Sequence, residues 1–181
     1  MNQKTRKITV IGMLCALAFV AAAVSRFFPG FPGAGFLKYD PKDVVIVIGG
    51  LLYGPLAALA ISVVSAVVEM MTVSTTGPIG LLMNVLSSVA FACTAAVVFR
   101  YKRSFAGLLA GLAAGVVLMT AMMLLWNWLI TPLYMEMPRE AVEQMLLPVF
   151  LPFNLIKGGI NAVLVCLLYR PVVVYFRKQL G

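Results

Sequence analysis

Residues 104–130 read Ser104-Phe105-Ala106-Gly107-Leu108-Leu109-Ala110-Gly111-Leu112-Ala113-Ala114-Gly115-Val116-Val117-Leu118-Met119-Thr120-Ala121-Met122-Met123-Leu124-Leu125-Trp126-Asn127-Trp128-Leu129-Ile130. No charged residue falls between Arg103 and Glu136. A helix needs about 20 apolar residues to cross a bilayer, so this stretch is long enough to do so. The whole chain agrees: 62% of its 181 residues are hydrophobic, 11% are charged, and mean hydropathy is +1.03. Soluble domains are roughly 45–50% apolar and about 25% charged. A water-soluble globular fold is therefore excluded. At about 20 residues per span the chain holds at most about seven or eight crossings, and its punctuation gives about six.

Working outward, residues 8–28 form a first span behind the basic start Lys4, Arg6 and Lys7. That start has the look of a secretory signal. The apolar run exceeds a usual signal core, however, and the chain stays apolar beyond it, so a retained span is expected. The glycine- and proline-rich residues 29–35 break the helix. Asp40-Pro41-Lys42-Asp43 then starts a second segment, with Asp40 at the cap, Pro41 at the first helical position and Asp43 completing the cap. Its apolar run, 44–53, is too short to span alone. Segments three, four and five are expected at 56–73, 79–99 and 104–130. A loop covers 74–78 and a polar connector 132–145, with a short helix near its end. Segment six covers 148–176. The sequence contains no internal repeat.

An even number of spans puts both termini on one side. That side receives Lys4, Arg6, Lys7, Arg100, Lys102, Arg103, Arg170, Arg177 and Lys178, with no acid among them. The other side is mixed: Arg26, Lys38 and Lys42 with Asp40 and Asp43, and Arg139 with Glu136, Glu140 and Glu143. This asymmetry makes the termini cytoplasmic. It also accounts for the net charge of +8 without nucleic acid. The expectation is an all-α integral membrane protein, residues 1–181 forming one six-helix domain.

Polar residues inside apolar segments point to a site. Asn154, Lys157 and Asn161 share one helical face. A lysine at a helix centre costs about 2.5–3.5 kcal/mol to insert, so it should face protein, water or a ligand. Snorkelling, or pairing with Glu69, is the plainer alternative. Two carboxamides and an ammonium suit a flat heterocycle with carbonyl and imide groups, because amides both donate and accept. Asn127 and Thr131 share a face of segment five, beside Trp128 and Tyr134, which could equally be an interfacial aromatic belt. Ser62, Ser65 and Glu69 form a stripe on segment three, with Glu69 near the solvated outer end. Asn84, Ser87 and Ser88 on segment four could simply bond between helices. Gly12-xxx-Ala16 and Ala18-xxx-Ala22 would let another helix approach closely, either from the same chain or from a partner subunit. Gly107, Gly111 and Gly115 read as an internal version of the same device.

Histidine is absent, which removes the usual zinc, haem and histidine-base chemistry. Cys15, Cys93 and Cys166 lie in separate segments as small apolar fillers. No metal site and no resident cofactor are expected. There is no Gly-xxxx-Gly-Lys-Ser/Thr phosphate loop, so energy for uphill transport would come from another protein. A membrane enzyme would have to use Glu69 with Lys157. A purely structural assembly subunit is the third class of reading.

The chain resembles the substrate-binding S components of energy-coupling factor (ECF) vitamin transporters, most closely the riboflavin-specific group. The resemblance covers nearly the whole chain. It is carried by the small-residue first helix, Leu37-Lys38-Tyr39-Asp40-Pro41-Lys42-Asp43, Leu52-Tyr53-Gly54-Pro55-Leu56-Ala57, Gly77-Pro78-Ile79-Gly80-Leu81-Leu82-Met83-Asn84, and Pro152-Phe153-Asn154-Leu155-Ile156-Lys157-Gly158 with Asn127 upstream. It implies a non-enzymatic, multi-pass protein of a prokaryotic plasma membrane that binds riboflavin, or another vitamin such as folate or pantothenate. Asn127, Asn154 and Lys157 would hold the ring's polar edge, with Asn84 and Thr131 nearby and Tyr39 or Trp128 on the ring face. Residues 29–39 would act as a lid. Gly12, Ala16, Ala18 and Ala22 would dock a membrane coupling subunit that works with two cytoplasmic ATPases. The subunit would deliver its vitamin by toppling in the membrane.

Overall fold

A computed structural model describes residues 2–72 and 77–175. The expectations for Val73, the loop residues Ser74, Thr75 and Thr76, and Phe176, Arg177 and Lys178 lie outside the described residues. Among those described, five helical stretches are long and apolar enough to cross a membrane: Gln3–Phe27, Pro55–Thr72, Gly77–Tyr101, Phe105–Tyr134 and Arg139–Val173.

The first holds α1 (Gln3–Val24), capped by the Asn2 side chain. The second is α3 (Pro55–Thr72). The third joins α4 (Gly77–Ser88) and α5 (Thr94–Tyr101) through a π-helical turn at Val89–Cys93. The fourth is α6 (Phe105–Tyr134), started by Ser104, whose hydroxyl accepts from the Gly107 N–H at 3.1 Å. The last joins α7 (Arg139–Met145) and α8 (Leu151–Leu168) through a π turn at Leu146–Phe150, and a second π turn follows at Tyr169–Val174. Pro148 and Pro171 lie within those two turns. Each lacks the N–H that regular α geometry would use, which favours a widened turn.

The remaining helix, α2 (Lys42–Tyr53), is 12 residues long, or about 18 Å at 1.5 Å per residue. That is short of a full hydrocarbon core, as its sequence suggests, yet inside the bundle it carries the chain from the outer end at Lys42 to the cytoplasmic end at Tyr53 and so makes the sixth crossing. It is buried on every face from Lys42 to Leu51 and packs against α1, α3, α5 and α8. Because it touches protein all round, it has no need to match the thickness of the hydrocarbon. Ile46, Leu51, Ile61, Phe91, Leu108, Leu112 and Met119 form the core around it.

Two expectations change. Residues 29–35 are more than a helix break. Gly30–Phe31 (β1) pairs antiparallel with Ala34–Lys38 (β2), so a small hairpin sits outside the otherwise helical bundle. Gly33 turns it at φ +82°, and a Cβ on Gly30 would lie 2.3 Å from the Gly35 carbonyl oxygen. The connector begins later than expected, because α6 runs through Pro132 to Tyr134. The proline forfeits one backbone donor near the helix end, and the Met135 N–H closes the turn onto the Thr131 carbonyl at 2.9 Å.

The Gly107, Gly111 and Gly115 stripe is internal. An added Cβ would stand 2.8 Å from the Ala95 oxygen at Gly111 and 2.7 Å from the Phe91 oxygen at Gly115. Gly159 faces open space. Both positions are helical, so alanine improves helix propensity equally at each. Gly115→Ala is expected to destabilise the protein by about 1–3 kcal/mol through overpacking. Gly159→Ala should be neutral or slightly stabilising. Paired melting curves in detergent test the contrast.

The basic start of α1, the end of α2 and the end of α5 come together at one end. Lys7 lies 6.0 Å from the Tyr53 ring centroid, and Gly54, Arg100 and Arg103 share a cavity there. This is the cytoplasmic end. The hairpin, Asp40, Glu69 and Thr131 meet around a cavity at the other end.

Candidate solute-binding site

Asp40-Pro41-Lys42-Asp43 organises the outer end of the bundle. The Asp40 Oδ1 accepts from the Lys42 N–H at 2.9 Å, so Asp40 does satisfy the first helical amide. Pro41, expected at the first helical position, occupies the cap itself. Asp43 does not complete the cap. It is 0% exposed, accepts a hydrogen bond from the Ser88 hydroxyl, and faces the Lys157 Nζ at 3.3 Å.

Lys42 was expected among the mixed outer charges and is instead 1% exposed. Its Nζ sits 2.9 Å from the Asp40 Oδ2 and 2.6 Å from the Glu69 Oε2. Asn84 donates to the other Glu69 oxygen at 3.3 Å. Glu69 is thus bound into the interior rather than solvated, and its cation is Lys42. The Glu69–Lys157 couple required by an enzyme is not formed. Asp40, Asp43 and Glu69 against Lys42 and Lys157 leave one net negative charge. Buried charges persist only when paired in this way.

Tyr39 extends the network. Its hydroxyl donates to the Asn161 Oδ1 at 2.7 Å, and the Asn161 amide reaches the Asp40 carbonyl at 3.5 Å. Burial pushes the Tyr39 hydroxyl up to about 12, reinforced by the charges of Asp40 and Asp43. Burial alone would raise Asp40, but the neighbouring ammonium groups of Lys42 and Lys157, with hydrogen bonds from Lys42, hold it below the usual carboxylate range.

A cavity of about 720 Å³ lies beside this network, under the hairpin. The volume is in the range of small-molecule sites, roughly 300–1,000 Å³. Asn127 and Thr131 line it from α6, Asn154 and Lys157 from α8, and Asn84 from α4. Five of the six expected binding residues therefore meet at one cavity. Each amide is oriented by its own helix. Asn127 Nδ2 donates to the Met123 carbonyl at 2.7 Å, Asn154 Nδ2 to the Phe150 carbonyl at 2.8 Å, and Thr131 donates to the Asn127 Oδ1 at 2.9 Å. Each amide keeps a second N–H for a ligand.

Tyr39 is not in the lining; it braces the wall through Asn161 and meets Phe28 edge to face at 5.5 Å. Trp128 also lies elsewhere, donating to Glu143 at 2.9 Å beneath the Arg139 guanidinium. The aromatic surfaces come from Phe36, Phe153 and Tyr134. Asp40 and Glu69 also line the cavity, and the sequence reading did not place them there. The hairpin rests on α8 and the turn before it, with Phe31 on Phe153 at 5.5 Å and Phe36 near Phe150 at 6.3 Å.

The small residues of α1 divide. Ala18 and Ala22 are 0% and 2% exposed, turned into their own bundle, which removes them from any docking surface. Gly12 and Ala16 are exposed, beside Met13 and Leu17. Successive helical residues turn by about 100°, so Ala16 and Ala18 point roughly 200° apart.

A helical bundle with a half-open cavity at its outer end, beneath a hairpin and carrying a few convergent amides and charged groups on a largely apolar lining, is a membrane solute-binding protein. Comparison with known proteins makes this specific. Residues 6–169 match the family described as ECF transporter, substrate-specific component, and the chain belongs to that family. It is 30% identical to the riboflavin transporter FmnP of Bacillus subtilis, over 97% of this chain and 96% of that one. It is 27% identical to the riboflavin transporter RibU of Staphylococcus aureus, over 97% and 95%. A solved structure titled as the S component of a bacterial ECF transporter superimposes with a TM-score of 0.82 at 27% identity, covering 96% of this chain and 98% of that one. The protein is a multi-pass component of the plasma membrane and not an enzyme.

Proposed function

We propose that this chain captures riboflavin from outside the cell as the substrate-binding subunit of an ECF transporter. The observation that carries the reading is the meeting of Asn127, Asn154 and Lys157 at one cavity of suitable volume. The two carboxamides pair with the imide and carbonyl edge of the ring, and Lys157 gives a charge-assisted hydrogen bond to a ring carbonyl. Phe36, Phe153 and Tyr134 supply apolar contact to the ring. Asn84 and Thr131 complete the polar rim, and Tyr39 stiffens it. The relatives named as riboflavin transporters support this choice of vitamin.

A membrane coupling subunit would dock on the exposed face of α1 around Gly12 and Ala16, with two cytoplasmic ATPases supplying energy. Isothermal titration calorimetry on the purified chain tests the binding reading. Saturable binding at one site per chain is expected with riboflavin, and none with pantothenate. Tight pantothenate binding without riboflavin binding would overturn it.

A further inference from the structure

The second cavity, at the cytoplasmic end, has a different chemistry. It is a half-open hollow of about 380 Å³ between the end of α2 and the end of α5, lined by Tyr53, Gly54 and Phe99 and by the exposed Arg100 and Arg103. α2 stops there because Gly54 adopts φ +93°, with its N–H bonded to the Gly50 carbonyl at 2.8 Å. Arg100 and Arg103 form no ion pair among the described residues. The Tyr53 hydroxyl oxygen is buried and has no hydrogen-bond partner among the described residues. Lys7 stands 6.0 Å from the Tyr53 ring centroid.

The chain offers these cations no acidic side chain. Its six acids are Asp40, Asp43, Glu69, Glu136, Glu140 and Glu143, all in the outer half or the outer connector. Two guanidinium groups share a cavity with no acid beside them. Guanidinium is built to hold phosphate through paired N–H donors. Depth fixes the source. Tyr101, next in sequence to the lining Arg100, is 87% exposed and Phe105 is 48% exposed, and exposed aromatics suit the headgroup level of a bilayer.

We propose that this cavity is a phosphate site, held by Arg100 and Arg103, and that the phosphate belongs to an anionic phospholipid of the cytoplasmic leaflet. It depends on the membrane fold and not on the identity of the vitamin. Occupancy would tie the end of α2 to that of α5, joining the two elements at the lipid surface.

The test uses the full chain in neutral detergent, titrated separately with phosphatidylglycerol, phosphatidylcholine and inorganic phosphate. Melting temperature is followed, with bound lipid counted by native mass spectrometry. Phosphatidylglycerol should raise the melting temperature and leave one retained lipid. The other two probes, at equal concentration, should do neither. Arg100→Gln with Arg103→Gln should weaken the response by at least about tenfold. Lys4→Gln with Lys102→Gln removes the same charge outside the cavity and should leave the response intact. An equal loss in that control overturns the site in favour of diffuse charge. A normal response in the arginine double variant overturns it and assigns those arginines to a partner's acids. An equal response to inorganic phosphate overturns the lipid source.

Discussion

Lys157→Met is expected to abolish measurable riboflavin binding, weakening it by at least about a hundredfold, and to lower the melting temperature as well. Two losses combine. A charge-assisted hydrogen bond in a desolvated cavity is worth roughly 2–5 kcal/mol to binding when one partner is removed. The substitution also strands Asp43, which is 0% exposed and has only Ser88 besides. Leaving a buried charge uncompensated costs about 3–5 kcal/mol of stability. The two effects separate in a cycle with Asp43→Asn. The double variant replaces the stranded carboxylate with a neutral amide, so stability should return substantially while binding stays lost. Titration and melting on the four proteins decide the matter. Recovery of tight binding in the double variant would show that Lys157 serves Asp43 and not the ligand.

Lys42→Met is expected to be the most destabilising single change in the network. Its ammonium is the only cation within ion-pair distance of Asp40 and Glu69 among the described residues. Removing it leaves two carboxylates facing each other across a space made for a positive charge, at a cost of about 3–5 kcal/mol or more. The sign of the pH dependence is informative. Without Lys42, burial and the facing carboxylate raise the Asp40 carboxyl above its ordinary value. A group whose folded value is raised contributes stability at low pH and loses it as pH rises. The variant should therefore regain stability between about pH 8 and about pH 5, where the wild-type protein should not. Parallel melting curves across that interval test this. A pH-independent deficit would mean that Lys42 acts through packing alone.

The fold was legible because its signal is long. Apolar runs bounded by Gly-Pro and by basic clusters mark the spans, and even the short α2 announced itself by length. The hairpin was hidden because two brief strands in a stretch rich in glycine and proline look like any turn. The site was legible where a costly residue had to be explained: Lys157, Asn154 and Asn127 stand inside apolar helices. It was illegible at Asp40-Pro41-Lys42-Asp43. These four residues would start a surface helix equally well, and only Glu69, Ser88 and Lys157, distant in sequence, reveal that their charges are buried. Trp128 and Tyr134 illustrate the same limit. Both suit a belt, yet one pairs with Glu143 outside the cavity and the other lines it. The opposed faces of Ala16 and Ala18 were, by contrast, available from helical geometry alone.

The enclosure of α2 bears on how such a subunit could move. Every ionised group of the binding network keeps a counter-ion within reach, Asp40 and Glu69 sharing Lys42 and Asp43 facing Lys157, held among neighbouring helices. If the whole chain tips in the bilayer, no carboxylate or ammonium of that network has to be stripped of its partner or dragged naked through hydrocarbon. The energetic toll of reorientation then falls on the outer skin of the bundle, above all on the lipid-facing side of α1, where a docking protein can lower it.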